Sequence, residues 1–325
     1  MTYNQKITFL QREIEKIIDP LIGKKVIIPD APYYANVGDV LIWQATLDFL
    51  KKTNRVLLSV SSQDTFSYPK LDKDITILLM GGGNFGDLWR FLQELRINII
   101  DHYPHNRIVM LPQSIWYDDP ALISKDSDIF SKHKDLHLCA RDRVSYEFLK
   151  KHFNNNHLYL VPDMAFFLSE SHLKRYRNAD NTNRNLFLLR RDKELSEGTV
   201  DFECRANTIT DWPSLEKRPF IIKLYVKIRE ILKPYSRSKW KNKILDLTAQ
   251  ICFRKQLTRD GCKLLSRYSH ITSTRLHGMI LAILLHKPVS YIDNTTGKLS
   301  AFVNTWLDGL PDIESLERKA KTKSR

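Results

Sequence analysis

Most of what would mark a secreted, membrane-spanning or metal-dependent protein is missing from this chain. Its four cysteines, Cys139, Cys204, Cys252 and Cys262, form no Cys-x-x-Cys pair. Nothing suggests paired bridges, and the thiols read as reduced in a cytosolic protein. No apolar stretch reaches the roughly 18 residues that a spanning helix needs. The opening MTYNQKITFLQREIEKIIDP reads as an amphipathic polar helix, not a signal peptide. The expectation is a soluble or peripheral protein. No Gly-x-Ser-x-Gly elbow is present, which leaves a Ser-His-Asp hydrolase poorly supported. His102 and His105 flank a Tyr-Pro, and His133 and His137 precede a strand. Neither pair has the acidic or thiol company of a zinc site, so no metal is expected. Acids are also short, 37 against 51 Lys and Arg, for a net charge of +14. That excess calls for an acidic partner: an anionic substrate, nucleic acid or an anionic membrane surface.

What is present is a core. Hydrophobic residues make up 42% of 325 positions, a length that suits two domains of about 150 residues. Short apolar runs recur as strands at 24–29, 55–60, 75–80, 107–111, 136–140 and 158–161. Most lead into polar loops and then helical spacing, as from Leu41 through Ile42, Ala45 and Leu47 to Leu50. This is the rhythm of an α/β protein with a parallel, doubly wound sheet. The boundaries read as a first domain over 1–171, a polar linker over 172–185, a second domain over 186–312 and a basic tail over 313–325. Residues 194–242 fit the alternation less well and carry a basic insertion.

The richest stretch is Ser269 to Asn294. A strand end runs through Ser273, Thr274, Arg275, Leu276, His277 and Gly278 into an apolar helix. Ser273 or Thr274 is a credible N-cap. That places Arg275 and His277 at a helix N-terminus, where free N–H groups and the dipole attract anions. A guanidinium and an imidazole there suit a phosphate or carboxylate with a proton donor beside it. The plainer alternative pairs Arg275 with a surface acid and makes His277 a satisfied core histidine. Arg190 and Arg191 close another strand and face the same cleft, as a second anion contact or as ordinary surface charge.

Two other segments carry readings. Gly81, Gly83 and Gly86 match Gly-x-Gly-x-x-Gly formally, with Asp101 downstream, but Asp101 falls within one long helix and the strand does not begin the domain. The glycines more plainly let backbone approach a ligand or the facing domain. From Phe220 to Pro234, Ile221, Leu224, Tyr225, Ile228, Ile231 and Leu232 share a helical face, with Lys223, Lys227 and Lys233 off it. That is a domain helix with a solvated basic edge, or one that lies on an anionic bilayer.

Taken in order, Asn36-Val37-Gly38-Asp39, Gly81-Gly82-Gly83-Asn84, Ala140-Arg141-Asp142 with Ser145, Pro162-Asp163, Arg190 and the stretch from Ser273 to Gly278 resemble the polysaccharide pyruvyl transferase family. The resemblance covers about residues 24 to 307. It implies a fold similar to the GT-B glycosyltransferases, with two Rossmann-like domains facing across a cleft. It further implies transfer from phosphoenolpyruvate to a sugar diol of a bacterial polysaccharide or lipid-linked glycan, giving a pyruvate ketal and phosphate. Arg190, or its neighbour Arg191, and Arg275 would hold the donor along with Ser273, Thr274 and Leu276. His277 would be the acid–base residue. Asn36, Gly38, Asp39, Gly82, Gly83, Asn84, Asp87 and Arg141 fall on the acceptor side, and Asp39 and Asp87 are candidate bases. No cofactor or metal is required. The implied location is cytoplasmic, with peripheral contact at the inner face of an anionic membrane. A nucleotide-sugar GT-B glycosyltransferase is the alternative, with Asp293 the nearest ribose clamp. A nucleic-acid-binding protein is prompted by net charge alone; it would need basic residues on one face with aromatics among them, whereas the charge is concentrated in one middle segment and the tail.

Overall fold

The computed structural model describes residues 1–177, 184–195, 208–217, 219–232 and 239–316. The centre of the expected linker, parts of the basic insertion (Cys204, Lys233 and Arg237 with them) and the last residues of the tail lie outside them.

The chain is α/β. A first sheet holds β1 (Lys25–Ile28), β2 (Val56–Val60), β3 (Ile75–Leu79), β4 (Gly82–Gly86), β5 (Ile108–Trp116), β6 (Leu136–Ala140) and β7 (His157–Leu160). Its order is β2-β1-β3-β5-β6-β7, with β4 beside the far end of β5, and its pairings are parallel. A second parallel sheet runs β12-β11-β10-β8-β9, built from β8 (Asn185–Leu188), β9 (Thr208–Thr210), β10 (His270–Ser273), β11 (Val289–Tyr291) and β12 (Ile313–Ser315). β3 and β6 are buried along their whole length, as central strands covered on both faces must be. Edge strand β2 leaves Val56 and Leu58 exposed.

Helices α1 (Tyr3–Ile18) and α2 (Val37–Lys52) flank β1, and α3 (Arg90–His102), α4 (Pro120–Ser131) and α5 (Arg143–His152) connect later strands of the first sheet. Next comes α6 (Glu170–Arg177). Then α7 (Pro213–Glu216), α8 (Phe220–Leu232), α9 (Lys239–Thr248) and α10 (Arg254–Ser266) lie between β9 and β10. α11 (Leu276–Leu284) joins β10 to β11, and α12 (Lys298–Phe302) leads toward β12.

Helix α2 positions the site. Asn36 is its N-cap, accepting the Gly38 N–H at 3.0 Å. The helix is buried nearly all round, Trp43, Gln44 and Thr46 as well as its expected apolar face. A helix so enclosed belongs inside a core. It packs on α10 and α11, and one continuous apolar cluster joins Val26, Leu78 and Val109 of the first sheet to Leu188, Ile271 and Val289 of the second.

Four expectations need correction. Gly82–Gly86 is a strand, not a loop: it pairs with β5, and a Cβ on Gly86 (φ +113°) would lie 1.8 Å from the Trp116 carbonyl oxygen. The glycines therefore form no turn into a helix that could cradle a dinucleotide. The expected linker begins as α6, whose Leu173 is buried, because that residue packs into the core. The expected tail contains β12, an edge strand on β11. On α8 the inward side chains are Ile222 and Tyr225, whereas Ile231 is exposed.

Candidate active site

Residues just past the carboxyl ends of strands from both sheets converge on one cavity of about 840 Å³. In α/β folds this is where ligands bind, because loops there are free of the sheet's own pairing. Asp30, Gly83 and Arg141 reach it from the first sheet, and Arg190, Asp211 and Arg275 from the second.

The N-terminus of α11 differs from the expected cap. Arg275 is itself the N-cap, with φ −111° and ψ 125°. Ser273 Oγ accepts the Arg275 N–H at 3.0 Å and donates to the Arg275 carbonyl at 2.8 Å. Thr274 Oγ1 accepts the Arg190 N–H at 2.8 Å. Both hydroxyls are therefore spent in fixing the backbone behind the cavity, because a buried turn must satisfy its own N–H groups. What they hold in place are two buried guanidiniums. Arg275 grips Asp211 with Nε and Nη2 and reaches Asp192 Oδ2 at 3.2 Å. Arg190 takes Asp192 at 2.8 Å and Glu194 at 3.0 Å. Burial alone would raise Asp192, but Arg190 and then Arg275 hold it below the ordinary carboxylate range. The acids opposite Arg275 lie within the cleft, not on the outer surface. An arriving anion must compete with them for the same donors.

His277 sits two residues beyond Arg275, with Nε2 3.3 Å from Asp163 Oδ2. That nitrogen is buried, and among the described residues it makes no hydrogen bond of good geometry. The same Asp163 oxygen accepts Arg141 Nη1 at 2.8 Å, while Arg141 Nε donates to Ser114 Oγ at 2.8 Å. Burial would raise the Asp163 carboxyl, yet His277 first and then Arg141 hold it well below the ordinary range. An ionised acid beside an imidazole orients the ring. The other face of the ring lies against Gly38, where a Cβ would be 2.6 Å from His277 Nδ1. The first turns of α2 and α11 thus meet at the histidine. Asp39 stands beside it, bonded by Asn36 Nδ2 at 2.8 Å. Desolvation raises the Asp39 carboxyl, only partly against the pull of His277.

The remaining expected residues divide. Asn36, Asp39, Gly83, Asn84, Arg141 and Leu276 line the cavity. Arg191 stands at the rim, exposed and 3.3 Å from Glu216, so Arg190 is the inward member of the pair. Gly82 lies behind, beside Asp39 and Ile42, and its φ of +141° is what calls for glycine there. Asp87 is off the cavity: its Oδ2 accepts the N–H groups of Asp118 and Asp119, each at 2.8 Å. It is a loop clasp, not a base.

Sequence reading passed over Lys298, Glu194, Asp211 and the role of Asp163. Lys298 is buried, donates to the Gly83 carbonyl at 2.9 Å and lies 3.3 Å from Glu194. Burial lowers its pKa, with Glu194 offsetting part of the effect. Its only signal was a TTGK turn after a strand. Asp293 binds the N–H groups of Leu299 and Ser300 at 3.1 and 3.0 Å, which makes it a helix cap instead of a ribose clamp. His137 does have acidic company. Asp135 and His157 offer ligand atoms within 4.8 Å, though Asp135 is also held by Arg107 at 3.1 and 3.2 Å.

Comparison with known proteins decides the family. The model of the polysaccharide pyruvyl transferase family matches residues 36–296. The chain belongs to this family. A Bacillus subtilis (strain 168) relative, "Putative pyruvyl transferase EpsO", is 31% identical over 320 residues, covering 96% of this chain and 95% of that one. "Pyruvyl transferase 1" of Schizosaccharomyces pombe is 24% identical, over 88% and 70% of the two chains. A crystal structure of a functionally uncharacterised Klebsiella pneumoniae protein shares the fold, with TM-score 0.59 and 18% identity over 95% of this chain and 99% of the other. As a member of the polysaccharide pyruvyl transferase family the protein is a transferase. No helix among the described residues is long and apolar enough to cross a membrane.

Proposed function

We propose that this pyruvyl transferase takes its group from phosphoenolpyruvate and places it on a sugar diol of a bacterial polysaccharide or lipid-linked glycan precursor, forming a ketal and releasing phosphate. The observation that carries the reading is one cavity in which His277 faces two buried arginines and Lys298. The two sheets then correspond to a GT-B-like pair, with donor on the second and acceptor on the first. Arg190, Arg275 and Lys298 hold the phosphate and carboxylate of the donor, displacing part of the Asp192 and Glu194 pairing. His277 delivers its proton to the methylene carbon, and an acceptor hydroxyl attacks the adjacent carbon. Asp39, with its raised carboxyl, takes that hydroxyl's proton. A second hydroxyl then displaces phosphate and closes the ketal, its proton returning to His277 while the departing phosphate takes the one held by Asp39. The arginines stabilise the charge that collects on the leaving group. No step uses a cofactor or metal. The reaction belongs on the cytoplasmic side, where the donor is made. The nucleotide-sugar alternative gains nothing from Asp293, whose carboxylate is occupied as a cap.

Calorimetric titration with phosphoenolpyruvate, beside UDP- and CMP-sugars, tests the donor. Saturable phosphoenolpyruvate binding that Arg275→Ala abolishes is the expected result. Binding of a nucleotide sugar with none of phosphoenolpyruvate overturns it.

A further inference from the structure

The face of the molecule furthest from any stated role is the outer side of α9. With the π-helical turn Ala249–Phe253 and α10, it forms one unbroken rod from Lys239 to Ser266. Inward, Leu245, Ala249, Phe253 and Leu257 repeat every four residues and are fully buried. Outward, where a surface helix normally carries polar residues, stand Trp240, Ile244, Leu247 and Ile251. These are 51%, 43%, 55% and 50% exposed, respectively. They recur at i, i+4, i+7 and i+11, so they form one stripe. Phe220 and Ile231 of the adjoining α8 are also exposed, at 78% and 61%. Lys243 flanks the stripe, and the exposed residues that follow it along the rod include Lys255, Arg259 and Lys263. On α8, Lys223 and Lys227 are exposed as well. Among the described residues from Phe220 to Arg267, Glu230 is the one exposed acid.

We propose that this stripe and its basic fringe dock the protein on an anionic lipid bilayer. Apolar Trp, Leu and Ile on one side of a helix with Lys and Arg at its margins match the acyl and headgroup levels of such a surface. Charge decides among occupants. A second copy of this chain would bring another +14 against the first and is repelled. A nucleic acid would engage the lysines and leave the apolar stripe in water. The inference does not depend on which donor or acceptor the cavity takes.

The test is co-sedimentation with phosphatidylcholine vesicles, with and without phosphatidylglycerol, in the absence of substrate. The wild-type chain is expected to partition roughly tenfold or more in favour of the anionic vesicles. Ile244→Gln/Ile251→Gln should lower that partitioning by about tenfold while leaving Tm unchanged, since both side chains already face water. Cys252 is exposed, whereas Cys139 and Cys262 are buried, so a polarity-sensitive dye can be placed at the stripe in a Cys204→Ser background. Its emission should shift to the blue on anionic vesicles. No vesicle binding, or equal binding by wild type and double variant, overturns the proposal. Self-association that the double variant abolishes, without vesicle binding, also overturns it and gives the face to a second copy.

Discussion

Asp163 is the residue on which the histidine chemistry turns. Its Oδ2 lies between Arg141 and His277, and its ionised state is fixed by both. Asp163→Asn keeps the volume and removes the charge. The imidazole then loses the carboxylate that orients it, and Arg141 loses a buried counterion. We expect kcat to fall by about 10²-fold with the affinity for donor changed far less, because Asp163 does not line the cavity. A variant that weakens donor binding as much as turnover would contradict this division. Residue by residue, the arginines and His277 were legible because each ends a strand or begins a helix in a recognisable run. Lys298, Glu194 and Asp211 were not. Their partners lie far away in sequence, and only the approach of distant loops brings an Arg275–Asp211 pair or a Lys298–Gly83 contact into being.

Asp246 on α9 makes a second, pH-dependent prediction. Burial raises its carboxyl to about 6, although Thr65 and Tyr33 bond to it and oppose the rise. Unfolded, the same group ionises near pH 3.9. The folded chain therefore holds the proton more tightly. That contribution to stability is full below the unfolded value and disappears as pH rises through about 6. At neutral pH a charge is left partly desolvated beside Thr65. Asp246→Asn keeps an acceptor for the Thr65 hydroxyl and removes that charge. Since the group is partly open to solvent, the gain at pH 7.5 should be about 1 kcal/mol and should vanish near pH 4. Thermal melts at the two pH values measure it; a pH-independent effect would exclude the carboxyl as its source.

Between elements, the decisive contact is the meeting of α2 with α11. Gly38 permits it, because any Cβ there would fall 2.6 Å from the His277 ring. Gly38→Ala is expected to displace the ring by roughly an ångström and to lower kcat by roughly 10²-fold, since misplacement of a catalytic group by about 1 Å costs that much. The cost in Tm should be modest if the ring yields instead of the backbone. Unaltered turnover would show that the imidazole is not held at that spot during catalysis. At this scale the central strands were readable as continuous apolar runs. β4 was not, since a run of glycines pairs only because β5 supplies the partner edge. β9 and β12 were missed for a related reason: three residues at a sheet edge bury too little to leave an apolar pattern.

Across the molecule, the sequence suggested two halves and a linker, and two parallel sheets are there. Their energetics need not divide with the sheets. One apolar cluster runs from Val26 and Leu78 through Trp43 and Phe49 of α2 to Leu188, Ile271 and Val289. Polar ties add to it: Lys298 reaches the Gly83 carbonyl at 2.9 Å and Trp306 Nε1 the Arg141 carbonyl at 2.8 Å. A sheet released from this core would expose α2, which is buried nearly all round, to water on one side. That exposure costs about 25 cal/mol for each Å² of apolar surface. The other face of the first sheet has an apolar cluster of its own around Ile77, Phe85 and Phe130, but the face on α2 is shared by both halves. Unfolding should therefore be one cooperative transition, with calorimetric and van't Hoff enthalpies equal. Phosphoenolpyruvate should raise that single Tm without splitting it, because a ligand held on the second sheet stabilises the whole of a unit that unfolds as one. Two resolved transitions, with only one moved by the ligand, would show instead that the sheets fold apart.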